Sequence, residues 1–121
     1  MAVIVPAHNE AGYIGPCLDA LIASDDPGRS VRVVVAANAC RDGTVAEARA
    51  RGAAFAARGW AFDVLDLPEG GKTRALNAAE AGLARGIRVY LDADVIVSPP
   101  LLAQLAAALD RAGAAYASGR P

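Results

Sequence analysis

Two aspartates separated by one residue, Asp92 and Asp94, directly follow the apolar run 87–91. Carboxylates this close repel one another unless a cation or hydrogen-bond donors compensate. Oxygen ligands on a short loop suit Mg2+ or Mn2+, which take one or two carboxylates and fill their shells with water and substrate phosphates. Upstream lies Lys72, the only lysine in the chain, directly after Gly70 and Gly71 and at the start of a helical pattern. A cation in a first helical turn is mildly unfavourable, because the helix dipole is positive there. The placement makes sense when an anion arrives, and a helix start plus one ammonium forms an anion site. Glycines, a lysine and a later strand ending in aspartate are also ingredients of a nucleotide-hydrolase phosphate loop. That motif requires glycine six residues before its lysine, where this chain has Asp66. Only Pro68–Gly71 separates Leu67 from Lys72, too short a loop to wrap a phosphate, so the hydrolase reading is rejected.

Two further strand ends carry polar residues. Asn38 closes the apolar run 31–37. Its amide accepts from a ring N–H and donates to a ring carbonyl, which suits a nucleobase edge; a turn asparagine tolerating a left-handed backbone reads equally well. Glu10 follows the run 2–6. It serves either as an acid near a helix start or as a ligand for a ribose hydroxyl. His8, the only histidine, receives no catalytic role.

These residues must be positioned by the elements between them. The run 2–6 reads as a buried strand ended by Pro6. Residues 11–23 follow a helical period, with Pro16 delaying the regular helix. Strands are expected at 31–37, 60–67 and 87–91, and a fifth from 114. Helices are expected from Thr44 to about Arg58, from Lys72 to Arg85, and from Ser98 to Gly113. Thr44 and Glu47 have capping-box spacing, with Asp42 as a rival cap. Strand–helix alternation repeated four times implies an α/β fold, a mostly parallel Rossmann-like sheet with helices on both faces. In such folds ligands bind at the carboxyl ends of the strands, where most of the residues singled out above lie.

Composition narrows the function class. The chain has 121 residues, 55% of them apolar, with a net charge of -1, so it reads as one small globular domain, 1–121. Without a basic stripe, a nucleic-acid polymer is not an expected partner. Two cysteines make no disulfide or metal framework, and no leader or long apolar stretch is evident. A cytoplasmic location is expected, with any contact at the inner face of a membrane made through a partner.

Taken together, "VIVPAHNE" (3–10), "VVVAANACRDGT" (33–44), "GGKTRALNAA" (70–79) and "YLDADV" (90–95) resemble the family-2 glycosyltransferases. The resemblance implies a GT-A fold that binds a nucleotide-diphosphate sugar, UDP-sugar first and GDP-sugar second. It implies nucleoside contacts from Pro6, Ala7 and Glu10, and from Asn38 where the family often has an acid. The Asp-x-Asp element implies a ribose or nucleoside contact at Asp92, with Ala93 beside it, and a Mg2+ or Mn2+ ligand at Asp94. Lys72 is implied near the base or the diphosphate. Members of the family continue well beyond this length. The resemblance therefore implies a donor-binding half, with the acceptor site and catalytic base in a following half and the sheet edge 114–121 left to pair with a second copy. The acceptor is a glycan, lipid or protein. A non-catalytic nucleotide-sugar-binding module is the rival reading. A nucleotidyltransferase is less favoured, because its glycine-rich basic loop belongs after the first strand, where "PAHNE" has neither glycine nor lysine.

Overall fold

The computed structural model describes residues 1–68, 70–83, 86–112 and 116–118, apart from the side chains of Lys72, Ala112 and 116–118. The order is β1 (Ala2–Ala7), α1 (Ile14–Ile22), β2 (Arg32–Asn38), α2 (Thr44–Arg49), α3 (Gly52–Ala57), β3 (Ala61–Leu67), α4 (Lys72–Glu80), β4 (Arg88–Tyr90), α5 (Leu101–Ala112) and β5 (Tyr116–Ser118). Among the described residues the strands form one sheet in the order β3-β2-β1-β4-β5. Every pairing is parallel. The expected α/β class is therefore the observed one, and the fifth strand is present at the sheet edge.

β1 and β2 are central and read as unbroken apolar runs, because a parallel sheet is covered on both faces. Alternation along each strand divides the core into two layers. Val3, Val5, Val33 and Val35 join a large cluster with Ile14, Leu18 and Leu21 of α1, Phe55 of α3 and Leu102 of α5. Ile4, Val34 and Ala36 face the other way, onto Ala75 and Ala79 of α4. The two alanines let α4 lie close to the sheet.

One expected helix differs. The segment from Thr44 to Arg58 forms two short helices, α2 and α3. The ladder tightens where Arg51 N–H donates to Ala48 O at 3.0 Å. Gly52, a poor helix former, follows at once. The Arg51 side chain leaves to bind Asp19 of α1 at 3.2 and 3.3 Å. The capping box is not formed either: α2 starts from Gly43 without a side-chain cap, and Glu47 turns toward α1. Asp42, the rival, accepts from Thr44 N–H at 3.0 Å. Helix α1 starts late, at Ile14, as Pro16 requires. Gly113 and residues 114–115 and 119–121 of the expected helix end and edge strand lie outside the described residues, as do Ala84 and Arg85.

Candidate functional site

The chain builds β1, β2 and β3 outward in one direction, then returns to place β4 on the other side of β1. The crevice outside the carboxyl ends of β1 and β4 is thus the topological switch point, the usual ligand position in open α/β sheets. Pro6 helps to open it. The last bond of the β1–β4 ladder runs from Leu91 N–H to Ile4 O at 2.9 Å. The next would need a donor on Pro6, which has none. The two strands part there, and a pocket of about 300 Å3 lies beyond, lined by Pro6, Ala7, His8, Glu10, Asn38, Asp92, Ala93 and Asp94. Seven of the eight residues singled out from the sequence therefore meet on one pocket.

The β1–α1 loop, which carries Glu10, is tied residue by residue to the β2–α2 loop. Asn9 N–H donates to Cys40 Sγ at 3.4 Å and Glu10 N–H to Thr44 Oγ1 at 2.8 Å. Ala11 N–H donates to Asp42 Oδ2 at 3.2 Å, and Gly12 N–H to Glu47 Oε1 at 2.8 Å. Tyr13 and Ile14 N–H both reach Glu10 O, at 3.0 and 2.9 Å. Gly15 N–H donates to Glu47 Oε2 at 2.6 Å, and Pro16 has no N–H. In return, Arg41 N–H donates to Asn9 Oδ1 at 2.8 Å. Thr44 is fully buried, and its hydroxyl also donates to Asp42. That bond, ahead of those from backbone N–H groups, holds the Asp42 carboxyl below the usual aspartate range.

Asn38 ends β2 at the pocket wall. Its side-chain Oδ1 is buried and has no hydrogen-bond partner among the described residues. His8 donates from Nδ1 to Asn38 backbone O at 2.6 Å, so the lone pair of the neutral ring sits on Nε2, 3.5 Å from Asn9 Nδ2. The residues that turn the chain after β1 and β2, Asn9 and Ala39, have φ of 51° and 50°. Asparagine tolerates that region, whereas for alanine it costs about 1–2 kcal/mol. Strain of this kind collects at functional sites.

The acidic pair lies on a turn closed by Val95 N–H donating to Asp92 O at 3.0 Å. Asp92 and Asp94 are exposed, while Ala93 between them is buried. Cys17 of α1 lies beneath, with Sγ 3.8 Å from Asp92 O. Burial first, and the charge of Asp94 second, push its thiol up to about 12, so Cys17 remains protonated at neutral pH and is no nucleophile. Cys40 is also a free thiol. No group of three or more His, Cys, Asp or Glu side chains placed to hold a metal occurs among the described residues. Two exposed carboxylates on one pocket still fit a Mg2+ or Mn2+ that draws its other ligands from water and substrate phosphates.

Lys72 opens α4 at the same end of the sheet, and its side chain lies outside the described residues. Gly71 before it has φ 121°, a region open to glycine alone. Gly70 brings the loop against Ala39, since a Cβ built on it would lie 4.0 Å from the Ala39 Cβ.

Sequence reasoning gave His8 no catalytic role and read Asp42, Thr44 and Glu47 only as helix caps. Position alone marked His8, which sits between two residues already chosen. No local signal could pair Glu47 with Gly12 and Gly15, because the partners lie more than 30 residues apart. A second pocket, of about 270 Å3, sits at the opposite end of the sheet near Arg32 and Arg88. Those arginines pair with Asp63 and Glu80.

The model of the family described as "Glycosyl transferase family 2" matches residues 2–121. Among solved structures, the mannosyltransferase PcManGT from Pyrobaculum calidifontis, in complex with GDP-Man and Mn2+, is 33% identical with a TM-score of 0.80, over 89% of this chain and 31% of that one. S. aureus TarS is similar at 24% identity and a TM-score of 0.78, over 91% of this chain and 19% of that one. TarS 1-349 in complex with UDP-GlcNAc gives 22% identity and a TM-score of 0.73, over 91% and 31%; the two TarS likenesses concern the fold. The chain spans less than a third of the length of these solved chains. No curated protein sequence matches it significantly. No helix among the described residues is long and apolar enough to cross a membrane.

Proposed function

The chain belongs to glycosyl transferase family 2, and from that premise we propose that it binds the donor in a metal-dependent transfer of a hexose from a nucleoside-diphosphate sugar to an acceptor hydroxyl. The observation that carries this reading is the convergence of Pro6, Ala7, Glu10, Asn38, Asp92, Ala93 and Asp94 on one pocket at the switch point. In this reading Asn38 accepts a base N–H at Oδ1, which satisfies its buried oxygen. Uracil offers an N–H beside a carbonyl and is the first choice; guanine is the second. Pro6 and Ala7 shape the wall against the nucleoside, and Glu10 and Asp92 take sugar hydroxyls. Ala93 leaves room at the floor. Lys72 pairs with the diphosphate. Asp94 would hold a Mg2+ or Mn2+, which when bound would supply positive charge against the departing diphosphate. A nucleoside diphosphate and Mn2+ fit this assignment, and PcManGT is solved with GDP-Man and Mn2+. The acceptor (a glycan, lipid or protein) and the base that deprotonates it come from outside these residues. Two-fold association through the edge strand β5 is a further element of the proposal, read by light scattering at micromolar concentration.

Thermal denaturation against a panel of nucleoside diphosphates, with and without Mn2+, tests the reading. A ligand at 100 times its Kd stabilises the fold by about 2.7 kcal/mol. The expected result is Mn2+-dependent stabilisation by UDP or GDP. Absence of stabilisation by every nucleoside diphosphate overturns the reading. Little or no release of free nucleoside diphosphate is expected from these residues with mixed acceptors, because the base lies outside them; robust turnover overturns that part of the reading.

A further inference from the structure

We propose that Glu47 is a positioning residue for the donor site: it occupies the entrance of α1 as an internal anion, which fixes Glu10 and keeps the donor's diphosphate away from that helix. The inference rests on the donor-site reading above. In many nucleotide-binding α/β folds the helix after β1 receives the pyrophosphate on its free N–H groups. Here no such group is left from residue 9 to residue 16, because each N–H already donates and Pro16 has none. The bidentate carboxylate of Glu47 takes two of them, on Gly12 and Gly15, as a phosphate would.

The packing around the carboxylate is built for this contact. A Cβ on Gly15 would lie 2.6 Å from both Glu47 Oε2 and Arg51 Nη2, so glycine there leaves the space that the clamp fills. Arg51 packs beside it, donating to the Glu47 backbone carbonyl at 3.2 Å and to Asp19 of α1 at 3.2 Å. Glu10 lies two residues before Gly12, and its carbonyl starts the turn into α1. Its position at the pocket is therefore set by the clamp together with the Thr44 hydroxyl, which accepts from Glu10 N–H at 2.8 Å. With the α1 entrance filled, the donor's diphosphate is directed to the Asp94 and Lys72 side of the crevice.

The test uses the whole chain and the variants Glu47→Ala, Glu47→Gln and Gly15→Ala, with circular dichroism to establish that each is folded. Two quantities are measured: calorimetric affinity for uridine, guanosine and their diphosphates, and thermal stabilisation by inorganic phosphate. Glu47→Ala is expected to lose about tenfold in nucleoside affinity, the worth of one charge-assisted hydrogen bond from a displaced Glu10. It is also expected to gain stabilisation by phosphate, which enters the vacated entrance; a merely structural role would create no anion affinity. Glu47→Gln should show both effects at smaller size. Gly15→Ala, which displaces the carboxylate without removing it and favours the helix, should lose nucleoside affinity without the phosphate gain. These two variants carry the test should Glu47→Ala fail to fold. In the folded Glu47 variants, wild-type nucleoside affinity or loss of affinity without a phosphate gain overturns the inference, as does wild-type nucleoside affinity in Gly15→Ala; each leaves the donor-site reading standing. A wild-type chain that binds neither nucleoside nor nucleoside diphosphate overturns both.

Discussion

Of the helices that begin at the carboxyl end of this sheet, α1 and α4 have entrances of opposite chemistry. The entrance of α1 is closed: Asp42, Thr44 and Glu47 take its donors and the preceding loop's. The entrance of α4 begins with Gly71, which has no side chain to cap with, and continues with Lys72, a cation where the dipole is already positive. One entrance compensates its dipole from within the chain, and the other carries more positive charge than its own helix favours. Under the proposed function, the nucleoside end of the crevice is thus preformed and the diphosphate end is completed by ligand and metal.

This contrast can be broken most severely at the acidic turn. Asp94→Ala should leave the fold intact, because the side chain is exposed. It should reduce Mn2+-dependent nucleoside-diphosphate affinity by more than about 100-fold, since even outer-shell partners of a metal are worth about 10–100-fold. Calorimetry with and without Mn2+ reads this, and unchanged metal-dependent affinity would remove Asp94 from the metal site. Lys72→Ala comes next. A charged hydrogen bond is worth about 1.5–3 kcal/mol, so affinity for the diphosphate should fall by that amount while affinity for the bare nucleoside holds. Equal losses for both ligands would move Lys72 to the base or ribose.

Smaller effects sharpen the contrast without touching ligand groups. Gly71→Ala places a Cβ on a backbone with φ 121° and should cost about 1–3 kcal/mol in denaturant unfolding. No loss would show that the α4 entrance adopts another conformation. The smallest effect is a pH dependence at the α1 entrance. The Asp42 carboxyl is held below its ordinary value of 3.8, chiefly by the Thr44 hydroxyl. Because the folded state lowers this pKa, the stabilisation is complete above the ordinary value and is lost as pH falls through the lowered one. Asp42→Asn should therefore flatten the fall of Tm in acid below about pH 4; an unchanged slope would deny Asp42 that part.

Much of the fold and most of the candidate site were legible in the sequence. The apolar runs ending at Pro6, Asn38 and Asp92 are strand signals with a local cause, because a parallel strand buried on both faces must be apolar throughout. Helix α1 could be placed for a similar reason, since Pro16 acts on its own turn. The continuous helix from Thr44 to Arg58 was the error. Its period was helical, but Arg51 finds Asp19 and Glu47 finds α1, and neither partner is visible at helical spacing. The capping-box pattern misled for the same reason, since a glutamate three residues past a threonine has no means of announcing a better partner elsewhere.

The chain's linear pattern decided which residues stand at strand ends and what chemistry they offer, because hydrophobic alternation and turn residues act within a few positions of one another. Tertiary structure decided which strand ends meet. Placing β4 beside β1 brings Asp92 and Asp94 to Ala7, Glu10 and Asn38. It also decided that Glu47 serves α1 and not its own helix. These outcomes depend on contacts between residues 30 or more positions apart, where the competing partners are compared in space and no local periodicity records the result.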